Sequence, residues 1–327
     1  MFKFSELNNN QINYINIGLM LVSAVLAFIL PFELFLFSYA ILGPLHYLTE
    51  IGWLHRKNYY TKGKYDFLFL SVLCALVFYF SFIQPAKTNT QIPNIIFYGV
   101  LLSFIFVFIK DNLYRIVLAV LAFIGLAISK TADNYFIWIG VFLPTIIHVL
   151  FFTWAFMLYG VLKNKSFSGF LSVIALALIA MSFFVIKAPG LQYQVSSYVA
   201  KSYHLFDLLN KFLIETFHLQ IDTADFDSVI YKSNSGFIIM RFIAFSYTYH
   251  YLNWFSKTSV IQWHKVPKNT LLITLALWLF SVCLYIYNYN VGLKALYFLS
   301  FLHVFLEFPL NITSFQGILK SIIPVKK

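Results

Sequence analysis

Away from the helix ends, six ionisable side chains stand inside apolar stretches of this sequence: His46 and Glu50, His148, His250, and His303 and Glu307. Titratable groups are costly in hydrocarbon, so those found there usually point into a helix bundle and mark a functional site. Imidazole is a ligand for iron, zinc, copper or nickel, whereas magnesium and calcium prefer carboxylate oxygens. Four neutral imidazoles on four helices therefore suit a single transition-metal ion. His46 and Glu50, like His303 and Glu307, are four residues apart, so each pair projects from one helix face. A glutamate one turn from a ligand histidine can orient its ring, take a coordination position or relay protons. Pro44 and Pro144 precede two of the histidines and Pro309 follows a third. Proline frees a backbone carbonyl and bends its helix, which helps to open a polar cavity. The plainer alternative is that each histidine is a hydrogen-bonded packing residue and each glutamate pairs with a neighbouring Tyr, Thr or Asn.

The elements that must carry these residues follow from composition. Of 327 residues, 61% are hydrophobic and 20% aromatic, and only 11% are charged. A water-soluble domain carries about 25% charged residues, so this chain lacks the polar groups to face water on all sides. Apolar runs of ~20 residues recur, and none alternates as a β-barrel strand would. The reading is an all-α, polytopic transmembrane bundle of about ten spans. They fall near 14–30, 33–54, 65–83, 94–109, 113–129, 135–162, 167–187, 237–256, 269–288 and 292–316. The whole of 1–327 reads as a single integral membrane domain. No cleavable signal peptide is expected, because the first dozen residues are polar and no small-residue cleavage site follows the first apolar run.

Basic residues orient the bundle. With both termini cytoplasmic, the inner side receives Lys3, then Arg56, Lys57, Lys62 and Lys64, then Lys110 and Arg115, Lys163 and Lys165. Lys257, Lys265, Lys268, Lys320, Lys326 and Lys327 complete it, while the short outer loops hold only Lys87, Lys130 and Lys294. That asymmetry satisfies the positive-inside rule at every loop and accounts for the net charge of +11 without nucleic acid. The four histidine-bearing spans all run from outside to inside. Their histidines then occupy one layer on the cytoplasmic side of the midplane, at ~1.5 Å of rise per residue.

The long connection 188–236 begins at Pro189-Gly190 on the outer side. Leu205, Leu209, Phe212, Leu213 and Phe217 recur at helical spacing within it, describing an amphipathic helix in the outer headgroup region. The acidic stretch Asp222, Asp225, Asp227 reads as a solvated loop, the sharper alternative being a lid over a lateral opening. His55 and His264 belong to the inner membrane face, and His204 and His218 to the surface of the outer helix. Cys74 and Cys283 lie within apolar runs and are expected as buried packing residues. The 39 Phe and 22 Tyr suit packing and lipid-facing belts, or the walls of an apolar tunnel. Phosphate-cradling Gly-rich loops, CxxC pairs, GxSxG elbows and the HxxxH and HxxHH clusters of membrane desaturases are all absent from the sequence.

Three stretches carry a likeness. GPLHYLTE (His46, Glu50), FSYTYHYLNWFSK (His250) and FLHVFLEFPL (His303, Glu307) resemble motifs of the Brp/Blh family of membrane-embedded beta-carotene 15,15'-dioxygenases. TIIHVLFFTW (His148) departs from that family's second motif in having no acid after the histidine, and Asn253 and Trp254 stand where the third motif has Arg and His. The resemblance implies a non-haem Fe(II) held by His46, His148, His250 and His303 that cleaves a polyene. The leading expectation is therefore a multi-pass oxygenase of a bacterial inner membrane. An apolar carotenoid or lipid would enter from the bilayer, with Glu50 and Glu307 orienting the ligands. Three other classes remain open: a non-enzymatic subunit of a larger membrane assembly, a proton-coupled transporter, and a di-metal lipid hydroxylase.

Overall fold

Backbone N–H and C=O groups in hydrocarbon have no water to bond with, so an apolar run closes its hydrogen bonds within itself as a helix. The computed structural model describes residues 8–128, 134–186, 193–221, 225–257, 261–263 and 265–323. Lys3, Lys130, Pro189, Gly190, Asp222, His264, Lys326 and Lys327 lie outside the described residues. The described chain is helical, with no strand. In order, α1 is Asn9–Ile29, α2 Pro31–Phe37, α3 Gly43–Arg56, α4 Asp66–Phe82, α5 Thr88–Phe108, α6 Asn112–Ile128, α7 Thr153–Asn164 and α8 Phe167–Val185. Then come α9 Ser197–Tyr203, α10 Asp207–Thr216, α11 Phe226–Lys232, α12 Asn234–Ser256, α13 Lys268–Tyr287 and α14 Tyr289–Ile322. Two π-helical segments, Ser38–Leu42 and Phe136–Phe152, lead into α3 and α7. Seven helices or helix runs are long and apolar enough to cross a membrane, and α4 and α6 are shorter apolar helices.

Side-chain caps extend helices beyond their apolar cores. Asn8 and Gln11 form a reciprocal capping box with both bonds at 2.9 Å, so α1 begins five residues before the apolar run. Ser166, Ser196 and Ser233 cap α8, α9 and α12 singly, each hydroxyl accepting from the backbone N–H three residues on.

The described chain divides into two compact units. The first comprises Met1–His46 and Asn164–Leu293, the second Tyr47–Lys163 and Lys294–Lys327. At the centre of the first, α12 packs against α1, α2, α8, α10, α11 and the π-turn 38–42. Every residue from Ile239 to Tyr251 is buried, on all sides of α12. Its polar groups are tied to its neighbours. Ser38 Oγ lies 2.8 Å from Thr248 Oγ1, and Asn16 Oδ1 accepts from Tyr249 Oη at 3.3 Å and Ser256 Oγ at 3.0 Å. Gly236 is required where α12 starts, because a Cβ there would overlap the carbonyl oxygens of Val229 and Ile230 in α11. Backbone cannot yield as a side-chain tip can. Gly236→Ala should therefore cost about 1–3 kcal/mol or more, read as a lowered unfolding midpoint in detergent; an unchanged midpoint would show that α11 is free to move away.

The loop region 193–232 belongs to the first unit. A 3₁₀ turn, His204–Phe206, separates α9 from α10. Leu209 and Leu213 are buried, whereas Leu205 and Phe217 remain exposed.

In the second unit α5 packs against α4, α6 and the π-helix 136–152. Gly99 allows close approach to α14, since a Cβ there would come within 2.6 Å of the Phe305 ring. Arg115, counted above among the cytoplasmic loop charges, is instead buried: its Nη2 reaches Asp66 Oδ2 at 2.6 Å and its Nε donates to the Ile109 carbonyl at 3.0 Å. The cysteine expectation also divides. Cys74 is buried, but Cys283 is exposed on α13, because helical periodicity turns that position away from the first unit's interior.

Candidate functional site

All six residues singled out in the sequence are buried. Exposure is 1% for His46, 2% for Glu50 and His148, 3% for His303, 7% for His250 and 8% for Glu307. Within the first unit the structure brings His46 to His250, with the two Nε2 atoms 3.1 Å apart and the rings at 74°. Within the second it brings His148 to His303, again with Nε2 atoms 3.1 Å apart and rings at 72°. Glu50 and Glu307 both belong to the second unit.

The π-turn 38–42 sets the first pair. Pro44 has no N–H for the carbonyl four residues back, and the π winding just before it absorbs that break. The turn is held by Ser38 on Thr248 of α12, two residues before His250, and by the Trp278 indole N–H, which donates to the Ile41 carbonyl at 2.8 Å. These bonds fix the rotation with which α3 leaves the turn, and hence the side on which His46 meets α12. Trp254 then closes edge-on against the His46 ring at 5.3 Å, and Tyr251 lies at 5.2 Å.

In the second unit His148 sits in the π-helix 136–152, four residues beyond Pro144. Its Nδ1 lies 3.1 Å from Glu307 Oε2, so its two ring nitrogens face a carboxylate and an imidazole. Tyr47 stacks on His303 with centroids 4.5 Å apart and planes at 21°, and Phe152 approaches His148 edge-on. The sequence suggested that Glu307 serves the histidine one turn earlier on its own helix. The described contact instead runs to His148 on a different helix, a pairing that i,i+4 spacing cannot reveal.

Donor chemistry and geometry both admit a metal. Adjacent ligands bound at ~2.0–2.1 Å stand about 3.0 Å apart at a right angle and about 3.4 Å apart at the tetrahedral angle. A separation of 3.1 Å falls in that interval for each pair. A carboxylate on Nδ1 with Nε2 left to ligate is the arrangement that fixes the tautomer and raises the basicity of a metal-binding histidine. The same 3.1 Å also suits one N–H···N hydrogen bond between neutral rings.

His55, His204 and His218 are exposed. His55 Nδ1 lies 3.2 Å from Tyr59 Oη. His204 Nδ1 lies 2.7 Å from Asp207 Oδ2, and Tyr231 donates to Oδ1 of the same carboxylate at 2.6 Å. Partial burial pushes the Asp207 carboxyl above its ordinary range, against the pull of the Tyr231 and His204 bonds. A cavity of about 730 Å³ opens beside this group in the first unit, with Lys201, Lys232, Asp227 and Phe237 among its walls. Two features went unread in the sequence: this cavity, and Arg241 in α12. Arg241 stands seven residues after the start of its helix and is buried.

No family model, curated protein or solved structure matches this chain.

Proposed function

We propose that the chain is an integral-membrane non-haem iron oxygenase acting on an apolar polyene, carotenoid or lipid. The observation that carries the reading is the recurrence of one motif: two buried histidine pairs, each with Nε2 atoms 3.1 Å apart. Imidazole donors suit iron, zinc, copper or nickel alike, and the likeness of the three histidine stretches to the carotene dioxygenases favours iron among them. His46, His148, His250 and His303 ligate the metal in this proposal. Bound there, iron would supply the activation of dioxygen.

The chain's own residues do the rest. Glu307, with Oε2 3.1 Å from His148 Nδ1, would orient that ring so that Nε2 is left to ligate. Tyr47 fixes the plane of His303 by stacking, and Trp254 and Tyr251 brace His46. Glu50, one turn along α3 from His46, orients ligands or relays protons. Burial of all six groups keeps bulk water from the reacting centre. In this proposal about ten spans cross a bacterial inner membrane with both termini cytoplasmic, and the substrate enters sideways from the bilayer.

Elemental analysis of chain purified under reducing, chelator-free conditions tests the proposal. Wild type should carry stoichiometric transition metal, and His46→Ala and His303→Ala should each lose at least roughly tenfold in retained metal. Bleaching of pigment in carotenoid-producing cells should follow the same order. Wild-type protein without stoichiometric metal would overturn the reading. It would favour instead a non-enzymatic membrane subunit in which each 3.1 Å approach is a hydrogen bond between packed rings.

A further inference from the structure

Arg241 is 7% exposed, yet among the described residues no hydrogen bond or ion pair reaches its guanidinium, and Nε is without any partner. Its one described interaction lies with an aromatic face: the guanidinium carbon stands 5.4 Å from the centroid of Phe28. Phe28 in turn stacks on Phe183 at 4.9 Å, and Phe183 lies 5.4 Å from Phe245, so α1, α8 and α12 form an aromatic collar in the first unit. An arginine stays charged in any surroundings and offers five N–H donors in a rigid fork. A ring face offsets only part of what a buried charge loses on leaving water. A guanidinium whose Nε is buried without a partner suits an oxyanion, and the described residues supply none.

Its depth identifies the source. Arg241 is seven residues into α12, or ~10 Å from the helix start. Phe28 is the penultimate residue of α1, and Phe183 stands two residues before the end of α8. The guanidinium is thus close to one end of three neighbouring helices, within the reach of an arginine side chain from the bilayer interface, where lipid phosphates stand. Val25 and Ile29 on α1, and Leu178 and Met181 on α8, are exposed apolar side chains against which acyl chains can lie. We propose that Arg241 is the headgroup site of a bound phospholipid. Its fork takes the phosphodiester oxygens, and the aromatic collar excludes water from the pair. The site is separate from the histidine pairs and stands whether or not they bind metal.

The test uses the full chain in dodecyl maltoside, with phosphatidylglycerol, diacylglycerol of the same acyl chains and inorganic phosphate as probes. Wild type should retain one phosphatidylglycerol in native mass spectrometry, and its unfolding midpoint should rise with that lipid but with neither diacylglycerol nor inorganic phosphate. Arg241→Met should weaken retention by roughly tenfold or more, with Arg241→Lys intermediate. An equal rise with diacylglycerol would overturn the proposal, since the phosphate would then contribute nothing. A full rise with inorganic phosphate would assign the site to a soluble anion and overturn the lipid. Folded Arg241→Met protein retaining lipid as wild type does would remove Arg241 from the site. The three-probe comparison on wild type decides the matter even if a variant does not fold.

Discussion

Arg115→Leu is expected to destabilise the protein by about 3–5 kcal/mol, because it strands the Asp66 carboxylate in the interior. Side-chain exposure is only 10% for Arg115 and 5% for Asp66, so solvent screens the pair weakly. The ion pair also organises backbone. Asp66 Oδ2 accepts from Gly63 N at 2.8 Å, Arg115 Nε donates to the Ile109 carbonyl, and the guanidinium lies over the Phe106 ring at 5.1 Å. One clip therefore joins the entry to α4, the exit of α5 and the start of α6. Removing the arginine leaves a buried charge and frees the Ile109 carbonyl at once. The double variant Asp66→Leu with Arg115→Leu removes both charges and should recover part of the loss. Unfolding midpoints of wild type, each single variant and the double, in one detergent, form the cycle. A double variant no more stable than Arg115→Leu would show that the carbonyl contact, not the stranded carboxylate, dominates.

Glu307→Gln should lower metal retention about 10–100-fold while leaving the fold intact. This expectation rests on the proposed metal function. Glutamine keeps the shape of glutamate but carries no negative charge to hold the proton on His148 Nδ1, so the ring loses both its fixed tautomer and some basicity. Competition against a graded chelator series reads the affinity directly, with His148→Ala as the reference for complete loss of the ligand. If Glu307→Gln competes like wild type while His148→Ala fails, Glu307 has no part in holding the metal. Glu50→Gln provides a comparison on the other glutamate, whose i,i+4 partner is His46.

Much of this architecture is legible in the sequence. The apolar runs at 113–129, 167–187 and 269–288 each match a helix to within a residue or two at either end, because hydropathy and helix length are coupled in a bilayer. The helix carrying Glu33, Pro44 and His46 was read as one span. The structure also has one continuous helical run there, Pro31–Arg56, and the π-turn inside it is not legible because a single inserted residue leaves the apolar pattern almost unchanged. The candidate residues were legible as residues, because a histidine amid Leu, Ile and Phe is conspicuous. Their pairing was not. Depth along each helix predicts one layer for His46, His148, His250 and His303 from the sequence, but rotation about each helix decides which ring meets which. That rotation depends on contacts such as Ser38 with Thr248 and Trp278 with Ile41, far apart in sequence. Arg115 and Arg241 were hidden for a related reason. Arg115 fitted the positive-inside count, Arg241 lies near a helix end, and only tertiary packing shows that either is buried.

A helix enclosed by its neighbours is released from the need to be attractive to lipid. α12 carries Arg241, Ser246, Thr248, His250 and Asn253 within one helix, and it is not among the described helices apolar enough to cross a membrane by themselves. Alone in the bilayer it would expose all of those groups to acyl chains. If α12 crosses the membrane as proposed, it would therefore enter beside α1, α2 and α8, which precede it in the chain and pack against it. Order of synthesis and order of packing coincide here, and the helix with the most polar chemistry is the one that depends on others for its place in the membrane.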